Sequence, residues 1–192
     1  MMRRPPRGYT NSFRIIGGLH RSRRFAFPPL AGLRPTPDRV RQTLFDWLAP
    51  VSEGARCLDL FAGSGALGLE ALSRGASRVV FVERELDAAD AIADHLAALG
   101  ATATAEVRCG DALPELGRLP GPFDVVFLDP PFDSGSLAPA FAALVARDSV
   151  APHGSVYLEG PADAPLPTLP EGWRLHRSKR AGNVGSHLVS RG

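Results

Sequence analysis

Arg56-Cys57-Leu58-Asp59-Leu60-Phe61-Ala62-Gly63-Ser64-Gly65-Ala66-Leu67-Gly68-Leu69-Glu70-Ala71 decides how this chain folds. An apolar run of strand length meets a glycine-rich turn, and a helix follows from Ala66 to Arg74. Further along, Arg78–Glu83 reads as a second strand and Leu86–Leu99 as an alanine-rich helix stopped by Gly100. Ala103–Cys109 is a third strand, with a short helix around Leu113–Leu116 behind it. Phe123–Asp129 is a strongly apolar fourth strand halted by Pro130-Pro131. A helix over Leu137–Val145 and a fifth strand over Ser155–Glu159 follow. Continuously apolar strands separated by helices mark a parallel sheet covered on both faces, so the expected fold is doubly wound α/β. Trp173–Lys179 and Val184–Ser190, around Gly182-Asn183, read as a closing hairpin.

Upstream, the pattern is different. Residues 1–11 are rich in Arg, Pro and Gly and read as disordered in the free protein. Phe13–Gly18 and Arg24–Phe27 read as two short strands around a turn. Thr36 suits a helix N-cap, Pro37 the first helical position and Asp38 the positive end of the helix dipole. Val40, Leu44, Trp47 and Leu48 then form one apolar helical face, with Arg39 and Arg41 on the other. The expected division is a basic arm, hairpin and helix over 1–50, followed by the α/β domain over 51–192.

The formal net charge of +2 hides a strong segregation. Residues 1–48 carry ten arginines against Asp38 and Asp46, so the remainder of the chain is net acidic. This is the signature of a polyanion-binding edge on a neutral-to-acidic body, although a solvated arginine-rich tail has the same composition. No apolar run approaches the roughly 20 residues of a membrane helix. Cys57 and Cys109 are expected to be reduced, buried thiols of a cytoplasmic protein. The histidines are scattered, and no metal site is expected. With the core assigned, no sustained apolar stripe is left over, and a monomer is expected.

Gly63, Gly65 and Gly68 let the backbone approach a ligand at a helix N-terminus. They also match the spacing of the dinucleotide fingerprint, with Glu83 placed to take ribose hydroxyls. The loop therefore indicates a nucleoside cofactor and goes no further. Two acids favour S-adenosylmethionine. Asp59 at the strand end can reach the cofactor's ammonium, a charge with little use beside a pyrophosphate. Asp111, after the third strand, can accept from an adenine amine, although it also suits a helix cap. The candidate cofactor-binding set is Asp59, Phe61, Ala62, Gly63, Gly65, Glu83, Asp111 and Ala112.

Asp129-Pro130-Pro131-Phe132 ends the fourth strand, at the edge where open α/β sheets place their sites. An exocyclic base amine is a poor nucleophile because its lone pair is delocalised into the ring. Two acceptors facing its hydrogens, the Asp129 carboxylate and the Pro130 carbonyl, favour a pyramidal nitrogen. Prolines fix φ and add no competing N–H. Phe132 offers a stacking platform on the order of 1–3 kcal/mol per base. The expected chemistry is direct methyl transfer to a base amine, with proximity supplying most of the rate.

Taken together, Arg14–Gly18, Arg34–Arg41, Asp59–Ala71, Asp129–Phe132 and Arg180–Gly185 resemble the bacterial RsmD-type 16S ribosomal RNA guanine-N2 methyltransferases. The resemblance runs from about residue 12 to the C-terminus. It implies a class I methyltransferase fold: a Rossmann-like, mostly parallel seven-stranded sheet behind a small basic hairpin and helix. It also implies a cytoplasmic enzyme that uses S-adenosylmethionine on one guanine of small-subunit rRNA, on an assembled or partly assembled particle. Thr36 would join the cofactor site, on a helix closing over the methionine end. Arg14, Arg21, Arg23, Arg24 and Arg39 become candidate phosphate contacts. The extra Arg/Pro-rich start and Ser22, where many relatives carry glycine, are the departures. Other readings remain: tRNA guanine, DNA adenine or protein glutamine as acceptor, an NAD(P) oxidoreductase, or a non-catalytic assembly factor. The oxidoreductase gives no reason for Asp129–Phe132, and amide methyltransferases usually place Asn and Tyr where Asp129 and Phe132 stand.

Overall fold

The computed structural model describes residues 9–29 and 36–192. The Arg/Pro-rich residues 1–8 and the Arg34-Pro35 pair fall outside the described residues. The sheet is built from β3 (Arg56–Asp59), β4 (Arg78–Glu83), β5 (Ala105–Cys109), β6 (Phe123–Leu128), β7 (Val150–Pro161), β8 (Trp173–Ala181) and β9 (Val184–Arg191). Its order is β5-β4-β3-β6-β7-β9-β8. Pairing from β5 through to β7 is parallel, and β9 is antiparallel to both β7 and β8. The order reverses between β3 and β6, which opens a crevice at the carboxyl ends of those two strands.

Side chains of the central strands alternate between two cores, as a sheet covered on both faces requires. Cys57, Val79, Phe81, Phe127 and Tyr157 face one core, and Leu58, Val80, Val126, Leu128 and Leu158 the other. The first core is closed by α1 (Asp38–Leu48), α2 (Ala66–Ser73) and α3 (Leu86–Leu99), together with the hairpin of β1 (Asn11–Arg14) and β2 (Arg24–Phe27). The second is closed by α4 (Ala112–Leu116) and α5 (Leu137–Ala146). Trp47 and Trp173 are partly buried against the two cores, and Trp173 meets the Phe141 ring edge-on at 5.1 Å. Among the described residues no helix is long and apolar enough to cross a membrane.

Four local readings change. β7 runs over Val150–Pro161, longer at both ends than Ser155–Glu159, because β6 and β9 pair it on both sides. β1 stops at Arg14, because the Ile16 and Gly17 N–H groups donate to the Glu70 carboxylate at 2.8 Å each. Cys57 is buried and its thiol is pushed up to about 12, chiefly by burial, whereas Cys109 is exposed at the end of the edge strand β5. Arg41 is fully buried rather than solvated. Its Nη2 donates to Asp38 at 2.6 Å and to the Arg14 carbonyl at 2.8 Å, its Nε donates to the Thr36 carbonyl at 3.1 Å, and Nη1 lies 3.6 Å from Glu70. Arg74 contacts the same carboxylate at 2.7 Å. Glu70 therefore gathers the hairpin, α1 and α2 into one ionic junction.

Candidate active site

The glycine turn is shaped by Gly63 and Gly65, whose φ values of 54° and 78° lie in the region that favours glycine. Gly65 caps α2 in that conformation. Gly68 serves packing instead: a Cβ there would lie 2.2 Å from the Phe81 ring, so its absence lets α2 settle against β4. The Ala62 N–H donates to the Val82 carbonyl at 2.9 Å, and the half-buried Phe61 packs on the second core.

Four acids end four neighbouring strands around this turn. Asp59 is 1% exposed and accepts the Gly68 N–H at 3.0 Å. Burial pushes its carboxyl up to about 7 against the pull of that bond, with the charges of Asp129 and Glu83 adding to the rise. Glu83 accepts from the Gly63 N–H at 2.7 Å and from the Glu85 N–H at 2.8 Å. Burial raises its pKa while those backbone bonds oppose the shift. Each Glu83 oxygen keeps a lone pair for a hydroxyl donor. Asp111 is exposed at the start of α4 and makes no side-chain cap bond, so it is open to a ligand. Ala112 is the first residue of that helix.

This donor set fits S-adenosylmethionine better than a dinucleotide. Asp59 already places a carboxylate on an N–H of the first turn of α2, the position a pyrophosphate would take. Acids around the turn suit ribose hydroxyls, an adenine amine and the cationic methionine end.

Asp129 follows β6 directly. Thr36, expected as a helix cap, makes no cap bond; Pro37 occupies that position, and the Thr36 hydroxyl donates to Asp129 Oδ2 at 3.1 Å. Burial lifts the Asp129 pKa and the Thr36 bond restrains it. Among the described residues nothing donates to the Pro130 carbonyl. Pro131 is exposed, with its carbonyl accepting from Ser134, and starts a 3-10 turn that presents Phe132 at 40% exposure.

A buried polar cluster that sequence reasoning missed lies beside Asp129. Glu159 is 4% exposed; the Tyr157 hydroxyl donates to its Oε2 at 2.5 Å and lies 3.0 Å from Ser186 Oγ. Leu128 pairs with Leu158, and Phe127 and Tyr157 share the first core, so Asp129 and Glu159 stand side by side on one face. Burial, and then the Asp129 charge, raise the Glu159 pKa. An acid ending an apolar strand next in register to Asp129 was the available signal, and the register was invisible before pairing was known.

The candidate phosphate contacts are dispersed. Arg14 is half-exposed but paired with Asp38 at 2.7 Å. Arg23 donates to the Ala98 carbonyl at 3.1 Å, near the end of α3. The loop bearing Arg21 docks on the end of α2: the Leu19 N–H donates to the Ser73 carbonyl at 2.7 Å. Both helix ends lie at the edge of the sheet opposite Asp129. Arg24 and Arg39 are exposed.

A doubly wound sheet with these acids at its carboxyl edge defines a class I methyltransferase fold. Structures agree: the Escherichia coli protein described as "Putative methyltransferase yhhF" superposes with TM-score 0.87 at 44% identity, covering 94% of this chain and 98% of that one. The Haemophilus influenzae protein described as "putative methylase HI0767" gives 0.80 at 39%, covering 94% and 99%. The chain belongs to the RsmD family, whose model, described as conserved hypothetical protein 95, matches residues 13–190. Ribosomal RNA small subunit methyltransferase D of Escherichia coli (strain K12) is 43% identical over 190 residues, covering 99% of this chain and 96% of the relative.

Proposed function

We propose that this protein transfers a methyl group from S-adenosylmethionine to the exocyclic N2 of a guanine in 16S rRNA of the small ribosomal subunit. The carrying observation is Asp129, held by Thr36 at the end of β6 next to a Pro130 carbonyl that no described residue bonds and an exposed Phe132. Family membership supports the reading, since curated relatives are named ribosomal RNA small subunit methyltransferase D. When bound, S-adenosylmethionine supplies an electrophilic methyl group.

The cofactor-holding residues are Asp59, Phe61, Ala62, Gly63, Gly65, Glu83, Asp111 and Ala112. Glu83 takes the ribose, Asp111 the adenine amine and Asp59 the methionine ammonium, directly or through water. Phe132 stacks the target base, and Asp129 with the Pro130 carbonyl accepts its two amine hydrogens. That arrangement directs the nitrogen lone pair away from the ring. A carboxyl lifted by burial also suits Asp129 to receive the proton the nitrogen loses after alkylation. Guanine N2 must be unpaired or flipped out to reach this edge. Such a substrate places the enzyme in the cytoplasm.

The test is transfer from labelled S-adenosylmethionine to unmethylated small subunits, deproteinised 16S RNA and total tRNA in parallel, followed by nucleoside identification. N2-methylguanosine in rRNA, lost with Asp129→Ala, is the expected result. Label confined to tRNA or protein overturns the substrate, and bound cofactor without any transfer overturns the activity.

A further inference from the structure

β8 is an edge strand with an unusual distribution of charge. Its residues from Arg174 to Ala181 are all exposed, and Arg174, His176, Arg177, Lys179 and Arg180 lie among them with no acid. Register assigns their faces. Lys179 pairs with Ser186, which bonds Tyr157 in the first core, and Arg177 pairs with Leu188 of that core. Arg174 pairs with Ser190, itself opposite Ser155 and two residues from Leu188, so it lies on the same face. The bulge between Leu175 and Arg177 lets His176 join them, its Nε2 2.6 Å from Ser190 Oγ. Strict alternation would have divided these side chains between the two faces.

The result is a basic row on the α1 side. Among the described residues, Arg174, Arg177 and Lys179 pair with no carboxylate, whereas Arg180 on the opposite face holds Asp163 at 2.6 Å. Lys179 lies at the level of Glu159, both being opposite Ser186, and so at the catalytic edge. From there the row descends roughly 13 Å along the strand, four register steps from Ser186 to Ser190. It ends in a cleft of about 450 Å³ between the C-terminal end of α1 and β8, lined by Trp47, Val51, Arg174, His176, Arg177 and Arg191. Charges on an edge strand also discourage pairing with another sheet, but that role gives no reason to gather them on one face.

We propose that this face of β8, through Arg174, His176, Arg177 and Lys179, is a phosphate track that holds the RNA strand leading to Asp129. It rests on RNA being the substrate and adds a surface separate from the N-terminal arginines. The cofactor acids occupy β3, β4 and β5, so the substrate approaches from the β6-to-β8 half of the sheet, where the track lies. The contacts address backbone, so the track positions RNA without reading its sequence.

The full-length protein carrying Arg174→Ala, Arg177→Ala and Lys179→Ala tests this against wild type and an Arg21→Ala, Arg24→Ala variant. With unmethylated small subunits, the triple variant is expected to raise KM for RNA about tenfold or more with little change in kcat. The slope of log affinity against log salt should fall by about 2, from about 0.7 per lost single-strand phosphate contact. Melting temperature and S-adenosylhomocysteine binding should stay at the wild-type values. If wild type methylates the RNA and the triple variant matches it in KM and salt slope, or only the hairpin variant loses affinity, the track is refuted alone. If wild type methylates no RNA, the proposed reaction fails and the track fails with it.

Discussion

Thr36 and Asp129, 93 positions apart, are joined by a hydrogen bond of 3.1 Å that fixes the chain entering α1 to the end of β6. Burial raises the Asp129 pKa and this bond lowers it. In the proposed reaction Asp129 must be ionised to accept from the amine, so the rate is expected to fall as pH drops through its pKa. Thr36→Val removes the lowering influence and moves the acidic limb of kcat/KM to higher pH, by up to about one unit. Thr36→Ser should retain the wild-type limb. A pH–rate profile checks both, and an unmoved limb in Thr36→Val denies the bond any part in tuning Asp129.

Glu159 gives a prediction about stability. Its folded pKa is raised by burial and by the Asp129 charge above the ordinary carboxylate value. Between those two values the folded chain holds a proton that the unfolded chain has released. Its contribution is therefore present in full below the ordinary carboxylate range and is lost as pH rises through the folded pKa. Glu159→Gln keeps an acceptor for the Tyr157 hydroxyl and cannot ionise. Urea unfolding at acidic and mildly alkaline pH should show a smaller loss of stability in the variant than in wild type. Equal slopes would count against a proton held on Glu159.

Much of this was legible in the sequence because it depends on local pattern. The strand–glycine–helix run at Cys57–Ala71, the alternation of apolar strands with helices, and the position of Asp129 after β6 are all fixed by nearest neighbours. What escaped depends on contacts between distant segments. Thr36 looks like a cap in isolation, and only the approach of β6 gives its hydroxyl another acceptor. Arg41 lies where helical periodicity puts a solvated charge, yet Asp38, Glu70 and two carbonyls surround it. The closing hairpin was legible as two strands, but the bulge that gathers Arg174, His176 and Arg177 on one face of β8 is undetectable from alternation.

Glu70 is the most consequential of these hidden residues for stability. It is fully buried, accepts the Ile16 and Gly17 N–H groups, and faces Arg41 and Arg74. Glu70→Ala strands two backbone donors and takes from Arg74 its carboxylate, while Arg41 keeps Asp38. Losing one partner of a buried charge pair costs about 3–5 kcal/mol. Chemical denaturation should show a loss of that size, and limited proteolysis should cut first in the released hairpin. Glu70→Gln, which keeps one acceptor oxygen, should fall between the two. A loss under about 1 kcal/mol in Glu70→Ala, the scale of an ordinary hydrogen bond, would show that the junction is dispensable.

Ser22 offers the opposite change. Its φ is 70°, in the left-handed region, and its N–H donates to the Ile15 carbonyl at 2.8 Å to close the hairpin loop. A non-glycine residue there costs roughly 1–2 kcal/mol. Glycine would relieve that strain while adding roughly 0.5–1 kcal/mol of chain entropy to lose on folding. Ser22→Gly should therefore stabilise the protein by up to about 1 kcal/mol with methyl transfer unchanged, because the loop lies at the edge opposite Asp129. Gly18→Ala, four residues earlier, should be strongly destabilising: its φ is 75°, and a Cβ would stand 1.8 Å from the Ser73 carbonyl oxygen. Measuring both by denaturant unfolding separates relieved strain from a general tolerance of the loop. A neutral Ser22→Gly beside a harmful Gly18→Ala would mean that the hydrogen bonds of the turn already absorb the strain at Ser22.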